Sequence, residues 1–416
     1  MHRRQFLQAG LFSLAATAVG RSARAEEIPI RAITTGPRYH WFGYYDKFEF
    51  DPTNRYVLSN EVDFEHRSPV PEDVINVGMV DLQDGDKWIE LGQSNAWCWQ
   101  QGCMLQWRPA NRPEVVWNDR EGDQFICHFY NIQTGTRRTI PSPVYTYDPT
   151  GSFGLTPDFS RIQVMRPGYG YAGIPDRYGD DLAPKDSGVF RVDLETGKQD
   201  LILSLHDMAQ VPYQGQKLEN VWQWFNHLLI SPDGKRFIAL HRWKARDPKT
   251  GGPTGNFTTR MVTANVDGSD VYVLDPSGAT SHFVWRDPEH VCMWTRPEGQ
   301  PSGFYVYRDR TDKIEPVGAG VMTVNGHNTY VPGHQDWILN DTYPDRERKQ
   351  HPYLYHVPNG PRIDLGAFYT GPNYKGEWRC DTHPRSSRDG RSVVIDSPHG
   401  GNGRQLYLMD ISKLIS

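Results

Sequence analysis

Apolar positions along this chain come in short runs of strand length, not at helical spacing, and each run stops at a turn sequence. Residues 227–234 show the unit: His227, Leu228, Leu229 and Ile230 lead into Ser231-Pro232-Asp233-Gly234, a turn with Pro and Gly where the backbone needs them. The same layout recurs at 47–54, 104–111, 144–151, 282–289, 327–334 and 383–390. A second element follows each in turn, at 79–85, 129–135, 190–197, 261–268, 304–310, 353–360 and 405–410. Seven first and seven second elements predict seven four-stranded units. Radial repetition covers the edges that an open array of such sheets would expose. The fold class expected is therefore all-β, a seven-bladed β-propeller forming one domain over residues 26–416. An apolar strand within residues 28–34 would close the ring against the last unit.

The third unit is irregular. Between Gly151 and Phe190 it carries an insertion rich in Gly, Tyr and Arg, including Arg166, Tyr169 and Tyr171. Aromatic and cationic side chains on a segment stiffened by Gly and Pro suit a binding wall. Arg120, in the Asn118-Asp119-Arg120 loop, is a further candidate for substrate contact.

Aligning the seven first elements on their turns puts Lys47, Met104, Val144, His227, His282, His327 and His383 at one register. Four consecutive units thus offer histidine at the start of the strand that lines the channel. Imidazoles converging from neighbouring strands suit a divalent cation. His282, His327 and His383 are the expected ligands, with Cys380, three residues before His383, as a thiolate ligand. His227 is expected near the site, as a candidate for substrate contact or for a place behind the ligands. Sulfur with imidazole favours zinc, and a histidine-dominated site also accepts manganese. The competing reading is that these histidines and Cys380 close the channel by packing and hydrogen bonds.

Composition narrows the setting. Arg3 and Arg4 precede an Ala-rich apolar run that ends at Ala23-Arg24-Ala25, the pattern of a twin-arginine export signal over residues 1–25. The run is too short to span a bilayer. A periplasmic or secreted protein is expected, without a membrane span. The net charge is −5 and there is no basic block, which argues against nucleic acid as a partner. Five cysteines are few for a disulfide framework in an exported chain of this size, and an odd count leaves one free or metal-bound. A monomer is expected.

Several motifs carry a family resemblance. Residues 40–47 (His40-Trp41-Phe42-Gly43-Tyr44-Tyr45-Asp46-Lys47), 99–107, 118–120, 166–171 and 377–383 together resemble the propeller-fold polysaccharide lyases, namely the ulvan lyases and, more distantly, the oligogalacturonate lyases. The resemblance spans nearly all of the chain beyond the export signal. It implies β-elimination on a uronate-containing, acidic polysaccharide or oligosaccharide, with a metal held through histidine-rich ligands near the channel. In ulvan lyases a tyrosine and an arginine sixteen residues later serve this chemistry, and Tyr145 and Arg161 match that spacing. Tyr145 would exchange the proton and Arg161 would pair with the carboxylate. A strand tyrosine packed between blades is the other reading of Tyr145. The family's catalytic histidines of the early blades have no matched position here; His40 and His128 are the candidates for the base. That departure leaves a sister lyase on a different acidic glycan as the favoured reading. The alternative is a non-catalytic periplasmic propeller that binds a glycan or a protein.

Overall fold

The computed structural model describes residues 28–415; the export segment expected over residues 1–25 lies outside them. Among the described residues, seven four-stranded antiparallel sheets follow one another, and a two-stranded ribbon, Lys349–Gln350 with Phe368–Tyr369, branches from the sixth. Central strands are apolar because both faces are covered: Val393, Val394 and Ile395 of Ser392–Ser397 are fully buried. Outer strands such as Ile314–Val317 are mostly exposed. Among the described residues, no helix is long and apolar enough to cross a membrane.

The repeated turns have a local cause. Asp51 accepts backbone N–H bonds from Thr53, Arg55 and Tyr56, and Asp148 does the same for Thr150, Ser152 and Phe153. An Asx turn of this kind fixes the chain before the second strand begins. Gly151, Gly234 and Gly390 close the turns at φ +68°, +72° and +72°, with Asn54 at +59° in the first sheet. A side chain at Gly390 would meet the Pro332 carbonyl at 2.6 Å as well as the left-handed backbone.

The first and last sheets meet at a polar seam. The strand Ile30–Ala32 pairs with Gln405–Asp410, Ile30 opposite Met409, so both ends of the described chain share one sheet, as the sequence leads one to expect. Arg385 bridges Glu49 and Asp396, and Asp396 accepts from the Phe42 and Gly43 amides.

Two departures from the regular pattern build the site. The inner strand of the first sheet is interrupted: Tyr39–Trp41 pairs with residues 60–62, and pairing resumes only at Phe50 opposite Val57. The intervening excursion carries Tyr44, Tyr45, Asp46 and Lys47 inward. Secondly, the insertion of the third sheet begins as a short helix, Phe159–Met165, capped by the Asp158 carboxylate, where a loop is expected.

Candidate metal centre and binding cleft

Tyr45 marks where the sheets converge. Its ring lies 5.7, 5.8, 5.3 and 6.3 Å from those of His227, His282, His327 and His383, so the four histidines aligned in the sequence do meet. Their roles differ. His227 sits on the long strand Val221–Ile230, where a bulge at Asn226/Leu228 and φ +53° turn its side chain inward. Both its nitrogens are engaged, Nδ1 with Tyr44 Oη at 3.3 Å and Nε2 with Asp46 Oδ2 at 3.0 Å. Burial, outweighing Asp46, draws the His227 imidazole down to about 4. It is a neutral ring held between a phenol and a carboxylate.

His327 and His383 have the free nitrogens. The Nδ1 of His327 lies 2.9 and 3.1 Å from the two Asp341 oxygens, which makes it the donor and leaves Nε2 with the lone pair. Asp341 also accepts from the His327 and His383 amides and from Thr382 Oγ1. One buried carboxylate therefore orients the His327 imidazole and fixes the backbone at His383. Despite burial it stays below the usual carboxylate value because of His327 and these hydrogen bonds. His327 Nε2 and His383 Nε2 are buried without a partner. A buried polar atom left unsatisfied costs about 1–3 kcal/mol, so two orphaned nitrogens side by side call for a ligand that accepts their lone pairs.

Asp381 completes the group: one ligand atom each from His327, Asp381 and His383 lies within 4.8 Å of the others. Two imidazoles and a carboxylate, with Asp341 behind His327, fit a divalent transition-metal ion. Cys380, the ligand expected from the sequence, stands outside this group, and its neighbour Asp381 stands in it. Cys380 is buried, and burial pushes its thiol well up, the opposite of what a thiolate ligand needs. The His282 ring lies tilted 4.1 Å from that of His327 and donates through Nδ1 to Asn325 Oδ1, 3.1 Å away, but stands outside the three-residue group.

Beside this cluster opens a cleft of about 280 Å³, lined by Tyr44, Arg166, Tyr169, Arg242, Phe257, Thr259, His282, Trp294, Asn325 and Tyr343 among others. Arg379 joins cleft and cluster, donating to Asp381 Oδ2 at 2.7 Å and to Tyr169 Oη at 2.6 Å. The Arg166 guanidinium lies 4.1 Å over the Tyr169 ring. Burial pushes the Tyr169 phenol up, but Arg379 and Arg166 outweigh it and leave the phenol below its ordinary value of 10.0. Tyr44 goes the other way, raised well above that value by burial. Arg242 is buried, and burial together with repulsion from Arg166 pulls its guanidinium down to about 9.

The remaining sequence candidates stand elsewhere. Tyr145 does point inward, 6.4 Å from His227 and 4.6 Å below Lys47, while Val144 packs in the core. Its hydroxyl is taken by Gln101 at 2.7 Å, and it does not line the cleft. Arg161 is spent on the insertion: its nitrogens donate to the carbonyls of Gln223, Tyr178, Asp181 and Leu182 and to Asp176. No donor remains for a substrate carboxylate. His128 lies between Asp119 and Thr139 on the strand Gln124–Asn131, and His40 between Gln405 and Glu61 at the seam; neither lines the cleft. Arg120 donates to the Pro71 carbonyl and packs against Gly173. Tyr171 is fully buried, stacked 4.1 Å on Phe159 and held by Asn118. Of the insertion's three candidates, Arg166 and Tyr169 reach the cleft.

No protein-family model and no curated protein matches the sequence. Solved structures do match it. An oligogalacturonate lyase from Vibrio parahaemolyticus superposes with a TM-score of 0.63 at 13% identity, over 94% of this chain and 96% of that one. An oligogalacturonate lyase in complex with manganese does so with 0.63 at 14%, over 93% and 94%. The β-propeller domain of the Trilobed protease from Pyrococcus furiosus follows with 0.50 at 9%, over 89% and 96%. At these identities the likeness is one of fold, a propeller-like all-β architecture used by lyases and by peptidases alike.

Proposed function

We propose that the seven sheets are the blades of a seven-bladed β-propeller whose cleft cleaves a uronate-containing oligosaccharide or polysaccharide by β-elimination. The observation that carries this reading is the pair of phenols in one cleft, Tyr169 lowered by guanidiniums and Tyr44 raised by burial, beside a metal-sized cluster. Two titratable groups whose environments push them apart are the mark of a base and an acid working together. The whole-length likeness to oligogalacturonate lyases, one of them a manganese complex, supports the same class of reaction.

Elimination needs the uronate carboxylate neutralised, because the C5 proton is otherwise too weakly acidic for any side chain. A divalent ion held by His327, Asp381 and His383 would supply that neutralising charge. With sulfur absent from the group, its nitrogen and oxygen donors suit manganese, and the argument for zinc from Cys380 falls away. Tyr169, its phenolate favoured by Arg379, takes the C5 proton. The electron pair forms the C4=C5 bond as the C4–O4 bond breaks. Tyr44, backed by His227 and Asp46, gives its proton to the leaving oxygen. The ion would take over the part first expected of Arg161, and Tyr169 takes that of Tyr145.

Incubating the protein with galacturonate, glucuronate and ulvan-type oligosaccharides tests this by the ultraviolet absorbance of the unsaturated uronate product. A rise with at least one acidic glycan is expected. New reducing ends without that absorbance would indicate hydrolysis, and binding without any product would leave a glycan-binding propeller.

A further inference from the structure

Arg242 has no part in the elimination just described, and Arg166 acts there only over the Tyr169 ring. Among the described residues no carboxylate pairs with either within 4.0 Å. Arg242, 6% exposed, spends Nε on Thr259 Oγ1 at 3.1 Å and has no other protein acceptor. Arg166 Nη1 is buried with no partner at all. Both guanidiniums lie over one ring, that of Phe257, at 4.7 and 4.9 Å from its centre. The nearby Lys244 adds a third positive charge, its ammonium held on the Met165 carbonyl at 2.8 Å.

A buried guanidinium repelled by a half-buried one is costly unless an anion joins them, and the planar fork of arginine matches a carboxylate or a sulfate ester. The pair comes from different parts of the chain, Arg166 from the insertion of the third sheet and Arg242 from the strand Arg236–Arg246 of the fourth. Phe257, 38% exposed, adds a flat apolar face to the same wall. Arg379, by contrast, is already occupied by Asp381 and Tyr169.

We infer that Arg166 and Arg242 form a second anion subsite, separate from the metal cluster, so that the cleft selects a ligand carrying two acidic groups on adjacent sugar units. This rests on the reading of the cleft as an acidic-sugar site. It adds that a singly acidic disaccharide is a poor ligand, because one of the two cationic centres stays unpaired. The class of ligand is then an oligosaccharide with an acidic group on each of two neighbouring units.

Calorimetric titration with digalacturonate, and with digalacturonate methyl-esterified at one carboxyl, tests the subsite. The protein should bind the dianion about 10- to 100-fold more tightly than the monoester, the scale of one charge-assisted contact. Arg242→Gln and the less buried Arg166→Gln should each shrink that ratio toward one, with circular dichroism showing the fold retained. Equal binding of the two probes by the parent, no binding of either, or an undiminished ratio in both variants would overturn the subsite. Dianion selectivity without unsaturated product would instead retire the elimination and leave the subsite standing.

Discussion

Tyr44 and Tyr169 face the same cleft, yet their surroundings give them opposite character. Tyr169 has a guanidinium at its oxygen and another over its ring; Tyr44 has a neutral imidazole and burial. Tyr169→Phe should lower kcat about 100-fold or more with little change in KM, the usual scale for loss of general-base catalysis, and should flatten the rising limb of the pH–rate profile. Tyr145→Phe should stay within a few-fold of the parent, since it loses only the Gln101 bond. Arg161→Ala should act on stability instead, by about 3–5 kcal/mol, because it leaves several buried carbonyls and Asp176 without their donor; thermal unfolding reads it. At this scale the sequence showed His327 and His383 through their common register. It did not separate Cys380 from Asp381, because which of two neighbours turns inward depends on backbone angles such as the φ of +38° at His383. Arg242 and Arg379 left no signal of their own, since a cleft cation looks like a surface one until its neighbours are known.

Among the elements, the repeats were readable because their turns are made locally, by Asp or Ser accepting the next few amides. The excursion at residues 42–48 was not, since it breaks the register by which the repeats are recognised, although its residues stood in the motif 40–47. The seam between first and last sheets carries its own pH signature. Burial pushes the Glu49 carboxyl up to about 7, the pair with Arg385 only partly offsetting it. The folded protein therefore holds a proton there that the unfolded chain releases near 4.5, so this group withdraws stability as pH rises through that window. The buried histidines, lowered in the fold, contribute the opposite slope, so the parent alone does not isolate Glu49. The thermal midpoint of Glu49→Gln minus that of the parent should grow between about pH 4.5 and about pH 7; a constant difference would show that Glu49 stays ionised throughout.

For the whole molecule, function follows from where separate sheets deliver their loops. The cluster takes His327 from the sixth repeat and Asp381 and His383 from the seventh; the cleft takes Tyr44 from the first, Tyr169 from the third and Arg242 from the fourth. No local stretch contains the site, which is why counting repeats gave the seven four-stranded sheets while the spacing of Tyr145 and Arg161 did not lead to the cleft. The central claim is that elimination depends on the cluster of His327, Asp381 and His383. Its most direct test follows unsaturated product from an oligouronate that the parent cleaves, using chelator-treated protein to which manganese is returned stepwise, for the parent, Cys380→Ser and His383→Ala. Activity should return in proportion to bound manganese in the parent and in Cys380→Ser, and not at all in His383→Ala. Undiminished product from chelated parent, or from His383→Ala, would contradict it.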